Sequence, residues 1–204
     1  MNLIRNTLLL MTGLVCLLPQ VAGAQAGERQ AGRWYIGGAL GGFAEEDNSQ
    51  ITGQDAEFAT FFSGGYRASP NVAVEATAMH WGQDFATPTG ILPGAEARTD
   101  LYTFGVGGQV KFFVPLDSMD LFAGAGLGLY TTNLKVKGSS SEIDENDTDL
   151  GIQGLLGVDV FVSNRISVGL EYRWLRLDAN FEPQISGDID VGGHFFFATV
   201  RGYF

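Results

Sequence analysis

Cysteine is all but missing from this chain: the one thiol, Cys16, falls near the N-terminus, so 27–204 carries none. A fold built there takes no help from disulfides and has no cysteine nucleophile or thiolate metal centre. Histidine is nearly as scarce, with only His80 and His194, too few for a zinc site of the usual His/Cys kind. A glycine-rich phosphate loop and a paired-carboxylate catalytic motif are both lacking, so neither an enzymatic activity nor a cofactor is expected. Charged residues make up 17% of the chain against 45% hydrophobic ones, few charges for an acidic protein in water. The net charge of −11 excludes the basic surface that nucleic acid demands. After the N-terminal segment no apolar run is long enough for a membrane-spanning helix. Strands remain possible.

The N-terminal segment itself starts basic at Arg5, runs apolar from Leu8 to Leu18, and ends in Pro19 and small residues. That run is too short to cross a bilayer as a helix and reads as a secretory signal. Ala22-Gly23-Ala24 and Ala24-Gln25-Ala26 both suit a cleavage site, and cleavage is expected after Ala26. Bulky Val15 before Cys16 does not suit lipoprotein processing. The expected layout is a signal over 1–26 and one domain over 27–204.

What fills that domain is alternation. Reading back from the end, Phe204, Gly202, Val200, Ala198 and Phe196 share one uncharged face; Tyr203, Arg201, Thr199, Phe197 and Phe195 share the other. Period two marks strands with different surroundings on their two faces. The pattern predicts strands at Arg33–Phe43, Phe58–Tyr66, Val72–Trp81, Leu101–Val114, Leu121–Thr131, Leu150–Val162, Ile166–Leu177 and Gly193–Phe204. Short turns at Ala68–Asn71, Pro115–Asp120 and Ser163–Arg165 alternate with long segments read as loops. The four long segments, Ala44–Glu57, Gly82–Asp100, Asn133–Asp149 and Asp178–Asp190, carry −5, −2, −3 and −4, more than the whole net charge of −11. The acidity therefore belongs to the loops, and weak Mg²⁺ or Ca²⁺ binding is expected there. Ser139–Asp147 superficially resembles a calcium loop but lacks the glycine and final glutamate of an EF-hand.

An even number of strands near ten residues long, with short turns on one side and long loops on the other, suits a tilted membrane-crossing sheet. Lipid offers nothing to an unpaired edge, so the sheet must close, last strand on first. The expected fold is all-β: an eight-stranded antiparallel up-and-down transmembrane β-barrel, termini in the periplasm, long loops outside. A soluble lipocalin-like barrel is the rival, and Gly32-Arg33-Trp34 fits its G-x-W start. Against it, Glu75, Lys111, Asp159, Glu171, Arg173 and Arg201 all fall opposite the uncharged face, on the lumen side. An eight-stranded lumen is barely wide enough for its own side chains. These six, three acidic and three basic, are expected to pair there in a layer centred on Glu75–Lys111 and Glu171–Arg201 that blocks water.

Three stretches carry a resemblance: Trp34-Tyr35-Ile36-Gly37-Gly38; Gly65-Tyr66-Arg67-Ala68-Ser69-Pro70-Asn71-Val72, running to Glu75; and Leu170-Glu171-Tyr172-Arg173-Trp174. Together they resemble the barrel of outer membrane protein A and its small free-standing relatives. The resemblance implies a non-enzymatic outer-membrane monomer in contact with membrane lipid and lipopolysaccharide. It also implies biogenesis through periplasmic chaperones and a barrel assembly machinery that reads the terminal Phe204. Outward Trp34, Tyr66, Tyr172, Trp174 and Phe204 fit an interfacial girdle. Two other functions stay open: a narrow pore or path for small apolar molecules, suggested by lumen-side Gly124, Gly126 and Gly128, and a lipid A hydrolase using His80 or His194 with a serine.

Overall fold

A computed structural model describes residues 30–45, 57–86, 98–137, 142–180 and 188–204. The expected signal, 1–26, lies outside the described residues. The strands are β1 (Arg33–Glu45), β2 (Glu57–Ser69), β3 (Val72–Ala86), β4 (Arg98–Pro115), β5 (Met119–Lys137), β6 (Glu142–Phe161), β7 (Ile166–Arg176), β8 (Asp178–Asn180), β9 (Asp188–Asp190) and β10 (Gly193–Tyr203). Eight of them close into one antiparallel barrel, in the order β1-β10-β7-β6-β5-β4-β3-β2, while β8 and β9 form a separate ribbon. Last strand meets first through Tyr35↔Tyr203 to Glu45↔Gly193.

The register fixes how strongly the sheet coils. Partners followed once round the barrel from Tyr35 run through Gly65, Glu75, Gln109, Gly126, Gln153, Leu175 and Gly193, and return to β1 at Glu45, ten residues on. Such a stagger obliges the strands to tilt, roughly 35–45° in barrels of this kind. Every residue on that path has the same pleat direction, so side chains far apart in sequence share the lumen.

Alternation decides which face is which. Phe62 is 71% exposed, Ile36 63% and Phe112 61%, whereas Arg201 is 2% and Glu171 1% exposed. The apolar face points out and the charges point in, the reverse of a lipocalin. An exterior of this kind is stable only against hydrocarbon. Its expected laboratory signature is a folded band on a denaturing gel: a detergent sample left unheated should migrate differently from a boiled one. Identical mobility before and after boiling would contradict a closed membrane barrel.

The strands outrun the sequence expectation at the loop end. Asn133–Lys137 and Glu142–Asp149, read as loop, form a ladder from Asn133↔Asn146 to Lys137↔Glu142. Gly82–Ala86 likewise joins β3, and Arg98–Asp100 joins β4. The apolar stripe marks only the depth of hydrocarbon, and a hairpin ladder continues beyond it with polar side chains on its outer face. Thr131 and Thr148, for example, join by hydroxyls 2.9 Å apart.

The turn end is stitched shut. Gly32, at φ +76°, bends the chain into β1 and places its amide on the Arg67 carbonyl at 2.7 Å. A non-glycine residue is strained at that φ. Gln30 Nε2 donates to Asn164 O at 3.0 Å, and the Tyr203 amide to Arg165 O at 2.7 Å.

Candidate functional site in the barrel lumen

Six charged side chains were expected in the lumen, and the structure places all six in one connected cluster. Glu171 is its hub, accepting from Lys111 Nζ at 3.1 Å, Arg173 Nη2 at 2.5 Å and Arg201 Nη2 at 2.6 Å. Lys111 also reaches Glu75 at 3.0 Å, Gln109 donates to Glu75, and Arg201 donates to Asp159. Arg173 completes its fork on Gln153 Oε1 at 3.0 Å. Lys111 on β4 and Glu171 on β7 are separated by two intervening strands, so this bond crosses the lumen instead of following the sheet.

A further pair was missed by the sequence reading. Arg67 Nη1 donates to Asp120 across the barrel, and both side chains are fully buried. The expected strands stopped at Tyr66 and began at Leu121, one residue short in each case; the same parity extended by one position points both residues inward. The β2–β3 register shifts between Arg67 and Ser69, and the Arg67 guanidinium holds the Pro70 carbonyl in the adjoining turn through Nε at 3.2 Å. With this pair the described lumen cluster has four cations and four anions. It is neutral.

Rings cover the charges on both sides. The Arg67 guanidinium lies 4.2 Å from the Phe113 centroid and that of Arg173 4.6 Å from Phe61. Lys111 and Arg201 share Phe122, at 4.9 and 5.1 Å. Toward the loop end the lumen is apolar: Phe61 meets Phe197 edge-on at 4.8 Å, and Phe195 touches Phe43 at 4.7 Å and Trp81 at 5.2 Å. Leu101, Leu134, Leu175, Leu177 and Val191 finish this layer. Cation–ring and ring–ring contacts each add about 0.5–2 kcal/mol in such settings.

The glycines on the lumen side are not gaps. A Cβ on Gly126 would meet Gln109 Cβ at 2.6 Å, one on Gly128 the Val106 carbonyl at 2.8 Å, and one on Gly124 the Val110 carbonyl at 2.5 Å. All three sit where β4 and β5 crowd each other as the sheet curls. Gly105 and Gly65 seat the Tyr130 and Tyr35 rings directly. The open space inferred from Gly124, Gly126 and Gly128 is therefore corrected: glycine here admits neighbouring backbone and large rings.

Both histidines are on the outer face. His80 Nδ1 is 3.0 Å from Thr103 O, and His194 Nδ1 is 2.6 Å from the Tyr172 hydroxyl, the two rings lying 5.9 Å apart. No serine hydroxyl is bonded to either ring among the described residues. Trp34 and Tyr66 pair at 5.1 Å on the outer face at the turn end. The Phe204 amide donates to Trp34 O at 3.0 Å, leaving its ring 68% exposed. Of the Ser139–Asp147 stretch, already set aside as a calcium loop, 139–141 lies outside the described residues, and Glu142–Asp147 is strand, not loop. Of the acidic segments, Glu46, Asp47, Asp55, Glu96 and Glu182 lie outside the described residues; among the described ones no three acids gather where they could hold a metal ion.

A family profile described as the outer membrane protein beta-barrel domain matches residues 7–200. No curated protein matches the chain in sequence. Among solved structures, Neisserial surface protein A (NspA) aligns at 20% identity and a TM-score of 0.62, covering 85% of this chain and 98% of its own. OprG from Pseudomonas aeruginosa aligns at 15% identity and 0.64, covering 87% and 98%. Ail of Yersinia pestis, in complex with the heparin analogue sucrose octasulfate, aligns at 12% identity and 0.50, covering 85% and 99%. These likenesses are of fold.

Proposed function

The chain belongs to the outer membrane protein β-barrel domain family, and from that premise we propose that this outer-membrane protein is a plugged, non-enzymatic barrel acting through its loop end. The neutral cluster around Glu171, capped by aromatic layers, supports the plug. Each bond between opposite walls occupies space that a water column needs, and each charged group faces one of opposite sign, while Asp120 Oδ1, Asp159 Oδ2 and Arg173 Nε keep no hydrogen-bond partner among the described residues. The turn end and both termini face the periplasm. Phe204 is the signal read by the assembly machinery after chaperone delivery, the barrel is a monomer, and membrane lipid and lipopolysaccharide surround it. The loop end supports envelope integrity and contacts outside the cell, since polar strand extensions and acidic segments gather there.

The test is conductance in a planar bilayer. The parent is expected to show no steady conductance, and Glu75→Ala and Arg201→Ala to lower the melting temperature and admit ions. Steady conductance by the parent, with melting unchanged in both variants, would favour a pore instead. A hydrolase is disfavoured because neither imidazole is bonded to a serine hydroxyl among the described residues; unchanged lipid A masses in cells with and without the protein are the expected result.

A further inference from the structure

The lipid-facing surface is not evenly clad. Gly64, Ala76 and Gly108 lie side by side on β2, β3 and β4, through the pairs Gly64↔Ala76 and Ala76↔Gly108, and all three face outward. A Cβ added to Gly64 or Gly108 would meet nothing within 4 Å. On the turn side of this floor stand Trp34, Tyr66, Val74 and Val110, each the ladder partner of the next, so the wall they make is continuous. Leu127, paired with Gly108, closes the β5 end. The result is a groove of about 580 Å³, within the roughly 300–1,000 Å³ of small-molecule sites. From β2 to β5 it crosses three strand spacings, about 14 Å.

The occupant has to suit an apolar floor inside a bilayer. Glu75 and Gln109 lie behind that floor, their side chains bonded to each other in the lumen. The groove is continuous with the exposed apolar belt that hydrocarbon covers, so hydrocarbon is what reaches it. A second copy of the barrel fits badly. Its own groove is concave too, and two such faces would meet rim on rim, holding the floors apart without dispersion contacts. A single flexible chain can lie along the floor. The wall also offers polar tips: Trp34 and Tyr66, whose rings are 5.1 Å apart, carry an indole N–H and a hydroxyl beside apolar rings. That combination suits the headgroup boundary of a bilayer.

We propose that this groove binds one acyl chain of a phospholipid from the periplasmic leaflet, with the headgroup against Trp34 and Tyr66. The proposal rests on the turn end facing the periplasm, but not on the plug. A barrel that conducts would sink the plug and leave the groove as it is.

The experiment is native mass spectrometry of the full folded barrel, carried in detergent with equal amounts of phosphatidylethanolamine and lipid A. One phosphatidylethanolamine per barrel is expected to stay bound. A phosphatidylethanolamine with a photoreactive group on its chain should crosslink to β2, β3 and β4. Ala76→Leu with Gly108→Leu fills the floor and should weaken retention roughly tenfold or more. Ala76→Leu alone replaces no glycine and decides the matter if the double variant does not fold. Ala198→Leu adds the same side chain to the exposed outer face of β10 and should leave retention unchanged. Equal retention by the parent and the filled variants, or none by the parent, would show ordinary boundary lipid and overturn the proposal. Retention of lipid A instead, or a dimer that is lost on filling the floor, would overturn it as well.

Discussion

Glu171→Ala is expected to cost about 3–5 kcal/mol of folding stability, the range for removing one partner of a buried ion pair, and to open the lumen to ions. Lys111, Arg173 and Arg201 all donate to that one carboxylate, and it is 1% exposed. Truncation takes a carboxylate from three cations at once: Glu75 and Asp159 remain for Lys111 and Arg201, and Arg173 keeps only the Gln153 amide. Water must then enter, or the cations must swing away. Both routes dismantle the cross-lumen layer. Glu171→Gln keeps the shape and some hydrogen bonding while losing the charge, and should fall between parent and alanine. Arg176→Ala is the control, because its pair with Asp178 is 3.9 Å long and exposed; such pairs contribute about 0–1 kcal/mol. Urea unfolding in lipid vesicles, beside single-channel recording, reads both effects. Equal unfolding midpoints for Glu171→Ala and Arg176→Ala would show that the hub is solvated rather than structural.

Phe195→Ala is the second large effect, about 3–5 kcal/mol as for other buried aromatic truncations. The ring is fully buried and touches Phe43, Trp81 and Phe197. Neighbouring rings on three different strands cannot collapse into the void without breaking register, so the cavity persists. Phe196, the next residue, is 53% exposed on the lipid face. Replacing it by alanine exchanges a ring for lipid chains and should cost distinctly less. The same vesicle unfolding series compares the two. Equal losses at 195 and 196 would mean that the lumen packs no more tightly than the lipid boundary.

The contrast between those adjacent positions shows why so much could be read without coordinates. Which way a strand residue points depends only on its own pleat, a local property with a period of two. Glu75, Lys111, Asp159, Glu171, Arg173 and Arg201 were placed by parity alone. The same rule would have caught Arg67 and Asp120, had the strand limits not been taken where the apolar stripe fades. Limits are harder because the stripe records lipid contact, whereas the ladder is held by backbone bonds that persist in water. The Asn133–Asp149 stretch was misjudged for that reason.

Alternation, low charge and the apolar terminal strand settle the closed barrel and its inside-out polarity before any folding is considered, because lipid tolerates neither a free edge nor an outward charge. Who meets whom across the lumen is another matter. Lys111 touches Glu171, sixty residues away, because a stagger of ten around eight strands brings β4 and β7 face to face at that height. Arg201 reaches both Asp159 and Glu171 for the same reason. The stagger is a global sum over every strand pairing, so no local pattern encodes it. The glycines make the point most plainly: a missing side chain looks like space in a sequence, and only the closed sheet shows that a tyrosine ring or a neighbouring carbonyl already occupies it.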